Sequence, residues 1–111
     1  MPDFVIAQGD REPSISDILT DQDDTPKNLT AGSIVFRRRL RPGGVKVENA
    51  AIIVGDPTLG QVQYDWAPGD TDTPGVYDYQ WVVTIAGKES TFPSDSYEQF
   101  EIYEDIQDPP P

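Results

Sequence analysis

The chain of 111 residues carries 8 basic against 20 acidic side chains, a net charge of −12, and contains neither His nor Cys. That composition excludes Cys/His zinc sites, thiol redox chemistry, His or Cys haem ligation and every triad with a His base, and it argues against phosphate-backbone binding as the main activity. Leu, Ile, Val and Phe occupy 26 positions, enough to lift the chain out of the disordered range and to fill one modest core, since a domain of this size buries roughly two thirds of its extended surface.

The first apolar run, Phe4 to Ala7, has no basic leader and reads as an edge strand, and nowhere do 18 apolar residues follow one another. A signal peptide and a membrane span are therefore not expected, and a cytosolic site of synthesis is, with the lack of Cys suiting a reducing compartment. Ile15, Ile18 and Leu19 have the i, i+3, i+4 spacing of a helical turn, while Ile15 and Leu19 equally suit strand pairing. Asp21 to Pro26 is polar turn material.

Ile34, Phe36 and Leu40 alternate with Val35, Arg37, Arg39 and Arg41, which predicts a strand with an apolar inner face and a cationic outer one; Arg38 breaks the inner row. Pro42-Gly43-Gly44 predicts a hairpin turn, after which Val45 and Val47 open the returning strand and Ala50, Ile52 and Val54 continue its apolar face.

Past Gly55 to Gly60, the side chains of Val62, Tyr64 and Trp66 share one face and Gln61, Gln63 and Asp65 the other, as in a half-buried strand. After a second turn region, Pro68 to Gly75, the residues Tyr77, Tyr79, Trp81, Val83 and Ile85 recur at period two opposite Asp78, Gln80, Val82 and Thr84. Five aromatic or β-branched residues on one side make this the expected central strand. Phe100 and Ile102 alternate with Glu101 and Tyr103, although Tyr97, Phe100 and Glu104 also fit a helical face. Residues 1–104 are thus predicted to form a single all-β domain, an immunoglobulin-like β-sandwich of about seven antiparallel strands with no disulfide, packed by Trp66, Trp81 and the tyrosines. Residues 105–111, ending in Pro109, Pro110 and Pro111, read as an extended tail of polyproline II character.

Few constellations offer chemistry. Asp21, Asp23 and Asp24 fail the EF-hand pattern because Pro26 stands where the loop needs Gly, and Asp70 and Asp72 form only a loose pair. Solvated turn carboxylates are the expected role for both groups. No pair of carboxylates stands out for glycosidase chemistry, and no Gly-x-Ser-x-Gly or Ser-x-x-Lys frame occurs. Arg37, Arg38, Arg39, Arg41 and Lys46 concentrate five of the 8 basic residues in ten positions. On an acidic chain they form either a docking patch for an acidic surface, including another copy of the chain, or a solvated strand face whose arginines pair across strands. Tyr97 and Tyr103 read first as core filling, with a sugar-stacking platform or an interface anchor as the alternative.

The order Gly60-Gln-Val-Gln-Tyr-Asp-Trp, Asp70-Thr-Asp-Thr-Pro-Gly-Val-Tyr, Gln80-Trp-Val-Val-Thr, Gly87-Lys, Thr91-Phe-Pro and Tyr97 to Ile102 resembles the small immunoglobulin-like domains of tailed-bacteriophage virion proteins. These include the N-terminal domain of baseplate upper proteins and short tail or neck proteins, which open on a strand like Phe4-Val-Ile-Ala-Gln-Gly-Asp and carry a segment like Asn28-Leu-Thr-Ala-Gly-Ser-Ile-Val-Phe. The resemblance implies a non-enzymatic virion building block of the tail, baseplate, neck or capsid surface. It carries over no catalytic residues; with the charge, composition and hydropathy above, no cofactor, metal, nucleic acid or membrane is expected, and other virion proteins or copies of itself are the expected partners. Such a protein is made in the bacterial host cytoplasm and ends up, oligomeric, in the particle. Arg37, Arg39, Arg41 and Lys46 together with Pro109, Pro110 and Pro111 are the expected partner-binding residues, and charge reversal of the three arginines is expected to spare the fold. A carbohydrate- or receptor-binding module and an acidic inhibitor or DNA mimic are the rival readings.

Overall fold

A computed structural model describes residues 4–21, 23–93 and 97–104. Eight strands occupy most of them: β1 (Phe4–Ala7), β2 (Ile15–Ile18), β3 (Ser33–Leu40), β4 (Val47–Ile53), β5 (Gln61–Tyr64), β6 (Gly75–Ile85), β7 (Lys88–Phe92) and β8 (Glu98–Tyr103). The order β1-β8-β6-β3-β4-β5-β2 curls into two layers, with β4 belonging to both: Val47 to Ala51 pair with β3, and Ile52 and Ile53 pair with β5. The chain crosses between layers from β1 to β2, from β2 to β3 and again from β5 to β6, the Greek-key path of an immunoglobulin-like β-sandwich. β7 and β8 lie along the same edge of β6, opposite Trp81–Ile85 and Gly75–Tyr79 respectively, so the eight strands fill seven positions. All pairings are antiparallel except that of β1 with β8, which is parallel and departs from the expected all-antiparallel pattern.

The two aromatic rows meet between the layers as their alternation requires. Phe36 on β3 is fully buried and is the hub: its ring lies 4.9 Å from those of Tyr64 and Trp81, 5.5 Å from Tyr79, 5.9 Å from Trp66 and 6.1 Å from Phe100. Both indole N–H groups are satisfied as burial demands, Trp66 donating to the Pro13 carbonyl at 3.0 Å and Trp81 to the Asp17 carboxylate at 2.7 Å.

Several expectations need correction. Ile15–Ile18 is a strand and makes no helical turn; Ile15 and Leu19 are buried while Ile18 is exposed, since β5 pairs along the whole segment. β8 is likewise extended, with Phe100 and Ile102 inward, which removes the helical alternative there. On β4 the inner face belongs to Ala51 and Ile53, while Ala50 and Ile52 face solvent, because Ala51 stands opposite the buried Ile34. Arg38 does not break the inner row of β3. It continues it, buried to 6% exposure.

That buried charge is compensated. Arg38 Nη2 meets Asp70 Oδ1 at 3.2 Å, its Nη1 donates to Asn49 Oδ1 at 2.9 Å, and the guanidinium lies 5.5 and 5.4 Å from the Phe36 and Tyr64 ring centres. Asp70 also accepts from the Tyr64 hydroxyl and from the Ala67 N–H, so one carboxylate ties both layers to the loop between β5 and β6. A buried cation is tolerated only when its donors are filled in this way.

Candidate functional site

The cationic face grows directly from strand register. With Phe36 and Arg38 inward, Arg37 and Arg39 must point outward, Arg37 opposite Glu48 on β4 and Arg39 opposite Asp78 on β6. Arg37 Nε donates to Glu48 Oε2 at 3.0 Å, and Lys46 Nζ lies 3.6 Å from the other oxygen. The Arg37 hydrogen bond, with the charge of Lys46 beside it, holds the Glu48 carboxyl below its ordinary range. Arg39 Nε donates to Asp78 Oδ2 at 3.2 Å and Arg41 Nε lies 3.5 Å from Oδ1, leaving the Asp78 side chain 5% exposed between two guanidiniums.

Two features keep this face open to a partner. Four cations share two carboxylates, so a positive excess remains on a strongly acidic molecule. Arg37 and Arg39 donate to their carboxylates through Nε, and among the described residues no terminal amino group of Arg37, Arg39 or Arg41 makes a hydrogen bond. Those amino groups are the ones that grip an incoming carboxylate in a fork. Tyr97 lies beneath them, its ring centre 5.6 Å from the Arg39 guanidinium and 5.9 Å from that of Arg41, and a cleft of about 290 Å³ opens between Arg37, Arg39, Lys46, Gln80 and Tyr97.

Arg37, Arg39, Arg41 and Lys46 are thus brought together as the sequence suggested, and the cross-strand pairing set against docking is also present. Pro109, Pro110 and Pro111 lie outside the described residues. Tyr97 and Tyr103 do not fill the core; both are on the outer face, 42% and 47% exposed, because Phe100 and Ile102 take the inner positions of β8. Glu48, Asp78 and Tyr97 complete the site and were missed as members. The polar Asp78 inside an aromatic strand was the available signal for its pairing with Arg39.

A second concavity, a groove of about 850 Å³, lies between β2 and β7. Ile18, Phe92 and Pro93 give it an apolar floor, and Asp17, Asp21, Asp23 and Glu98 surround it against Lys27. Asp23 accepts from both the N–H and the hydroxyl of Thr25, the turn role expected of it, and these bonds hold its carboxyl below the usual range. Among the described residues no group of three or more His, Cys, Asp or Glu is arranged to hold a metal.

No family model matches the chain, and a search of curated proteins returns no match.

Proposed function

We propose that the chain is a bacteriophage virion structural protein, a non-enzymatic assembly and attachment module of the tail, baseplate, neck or capsid surface. The observation that carries the reading is the segregated charge: three arginines and a lysine on one rigid sheet face, with guanidinium donors that meet no acceptor among the described residues, on a chain of net charge −12. Charge arranged in this way selects partners and fixes their register, which is what a particle subunit needs. The sandwich core supplies the rigidity, and the resemblance in strand and turn sequence supplies the biological setting.

The glycan-binding rival is weakened because the guanidiniums of Arg39 and Arg41 stand 5.6 and 5.9 Å from the Tyr97 ring centre, and Tyr103, at the far end of β8, lies six residues further along extended chain, about 20 Å away. The DNA-mimic rival needs carboxylates in a phosphate-like row, whereas Asp10, Asp23, Asp56 and Asp72 each stand on a different loop between strands. Mass spectrometry of purified particles with isotope-labelled peptide standards tests the proposal. The expected result is the chain at a fixed copy number set by particle symmetry, and its absence from particles overturns the reading.

A further inference from the structure

The two concavities are lined by different residues, and the exposed tip of the β3–β4 hairpin has an apolar and basic character for which the apolar, acidic β2–β7 groove is the counterpart. At the tip of the β3–β4 hairpin, Val45 is 85% exposed, Lys46 follows with its side chain 58% exposed, and Val47 is 44% exposed. Two bare aliphatic side chains flanking a lysine are costly to leave in water on a monomer. The groove between β2 and β7 has the reciprocal character, an apolar floor of Ile18, Phe92 and Pro93 inside an acidic surround. Ile18 is itself 59% exposed.

We propose that the Val45-Lys46-Val47 tip of one copy seats in the β2–β7 groove of a second copy. The valines cover Ile18 and Phe92, and Lys46 joins Lys27, whose Nζ lies 4.0 Å from Asp21 Oδ1, among the more numerous carboxylates of the groove. The net charge of −12 on each copy opposes association at long range, but at physiological salt that repulsion is screened beyond about 8 Å, so the opposite charges in direct contact decide the outcome. Tip and groove are different patches, so the contact is heterologous. It leaves a free tip at one end of every dimer and a free groove at the other, and propagates into a ring or a filament. A hairpin tip covers less area than a standard interface, so a single contact is weak and gains strength when an array closes. The inference deepens the assembly reading above, yet it concerns the purified chain and is tested without particles.

The experiment is sedimentation equilibrium on the full chain up to 1 mM in 0.15 M salt, with a tip variant (Val45→Ser with Lys46→Glu) and a groove variant (Ile18→Ser with Asp21→Asn). Unchanged urea midpoints establish that both variants fold; all these side chains are exposed. The wild type is expected to gain mass with concentration past the dimer, and each variant alone to associate at least tenfold more weakly. A one-to-one mixture of the two variants retains one intact tip and one intact groove, and is expected to form heterodimers and stop there. A monomeric wild type at 1 mM, self-association undiminished in either variant, or a mixture that stays monomeric overturns the inference. Presence of the chain in particles together with any of those results would leave the virion reading standing and remove this contact.

Discussion

Arg38 of β3 and Asp70 of the loop after β5 form an ion pair at 3.2 Å inside the sandwich, with Arg38 6% exposed. Because Asp70 also accepts from Tyr64 and Ala67, the pair fixes that loop as well as the two layers. Removing one partner strands the other, so Arg38→Met and Asp70→Ala should each cost about 3–5 kcal/mol in urea unfolding. The double substitution should cost clearly less than the sum of the two, which a double-mutant cycle reads directly.

Phe36 touches five aromatic rings from both layers. Phe36→Ala should lose about 3–5 kcal/mol, a large part of the stability of a domain this size, and lower the melting temperature by roughly 15 °C. Val35→Ala, on the outer face of the same strand, should lose far less. Thermal unfolding followed by circular dichroism compares them.

The hydroxyl of Tyr64 is pushed up to about 12, first by burial and then by its hydrogen bond to Asp70. A folded-state value above the unfolded one means that the neutral form is favoured by folding. The associated stability is whole below about pH 10 and is lost as pH rises toward 12. Absorbance at 295 nm should show Tyr64 ionising only as the protein unfolds, and Tyr64→Phe should flatten the stability profile in that window. At the acid end, Asp23, Glu48, Asp56 and Asp65 are all held below their ordinary values by hydrogen bonds, so stability should fall as pH drops through the carboxylate range.

Gly43 and Gly60 share a left-handed φ of 70°, but a Cβ at Gly43 meets nothing within 4 Å while one at Gly60 would lie 2.5 Å from the Leu19 carbonyl oxygen. Gly43→Ala should therefore cost only the backbone strain, about 1–2 kcal/mol. Gly60→Ala must also displace the β2 end, and should unfold at a distinctly lower urea concentration.

The aromatic rows were legible because alternation of large and polar residues admits one reading: a one-residue slip would put Trp81 in water. Ala50 to Val54 was misassigned to the wrong face because five consecutive apolar residues carry no period, and only pairing of Ala51 with Ile34 settles which side is buried. Arg38 looked like an interruption because its partner lies 32 residues away in a turn, beyond any local pattern. Tyr97 was read as core for its type alone, yet β8 had already filled its inner positions with Phe100 and Ile102. The outer arginines were legible in position and in their capacity to pair across strands, but the identity of one partner was not, since Asp78 comes from a strand far along the chain.

That partnership changes what charge reversal does. Reversing Arg37, Arg39 and Arg41 together was expected to spare the fold, but Asp78, 5% exposed, depends on Arg39 and Arg41 for its compensation. Arg39→Glu with Arg41→Glu should destabilise the protein outright, whereas Arg37→Gln with Lys46→Glu leaves only the solvent-accessible Glu48 unpaired.

The last pair of substitutions gives the most direct test of the docking face. Wild-type and Arg37→Gln/Lys46→Glu chains, supplied together in equal amounts during particle assembly, should appear in purified particles at a ratio of at least ten to one while their urea midpoints agree. Equal incorporation of the two chains would contradict the assignment of this cationic face as the surface through which the protein is built into its assembly.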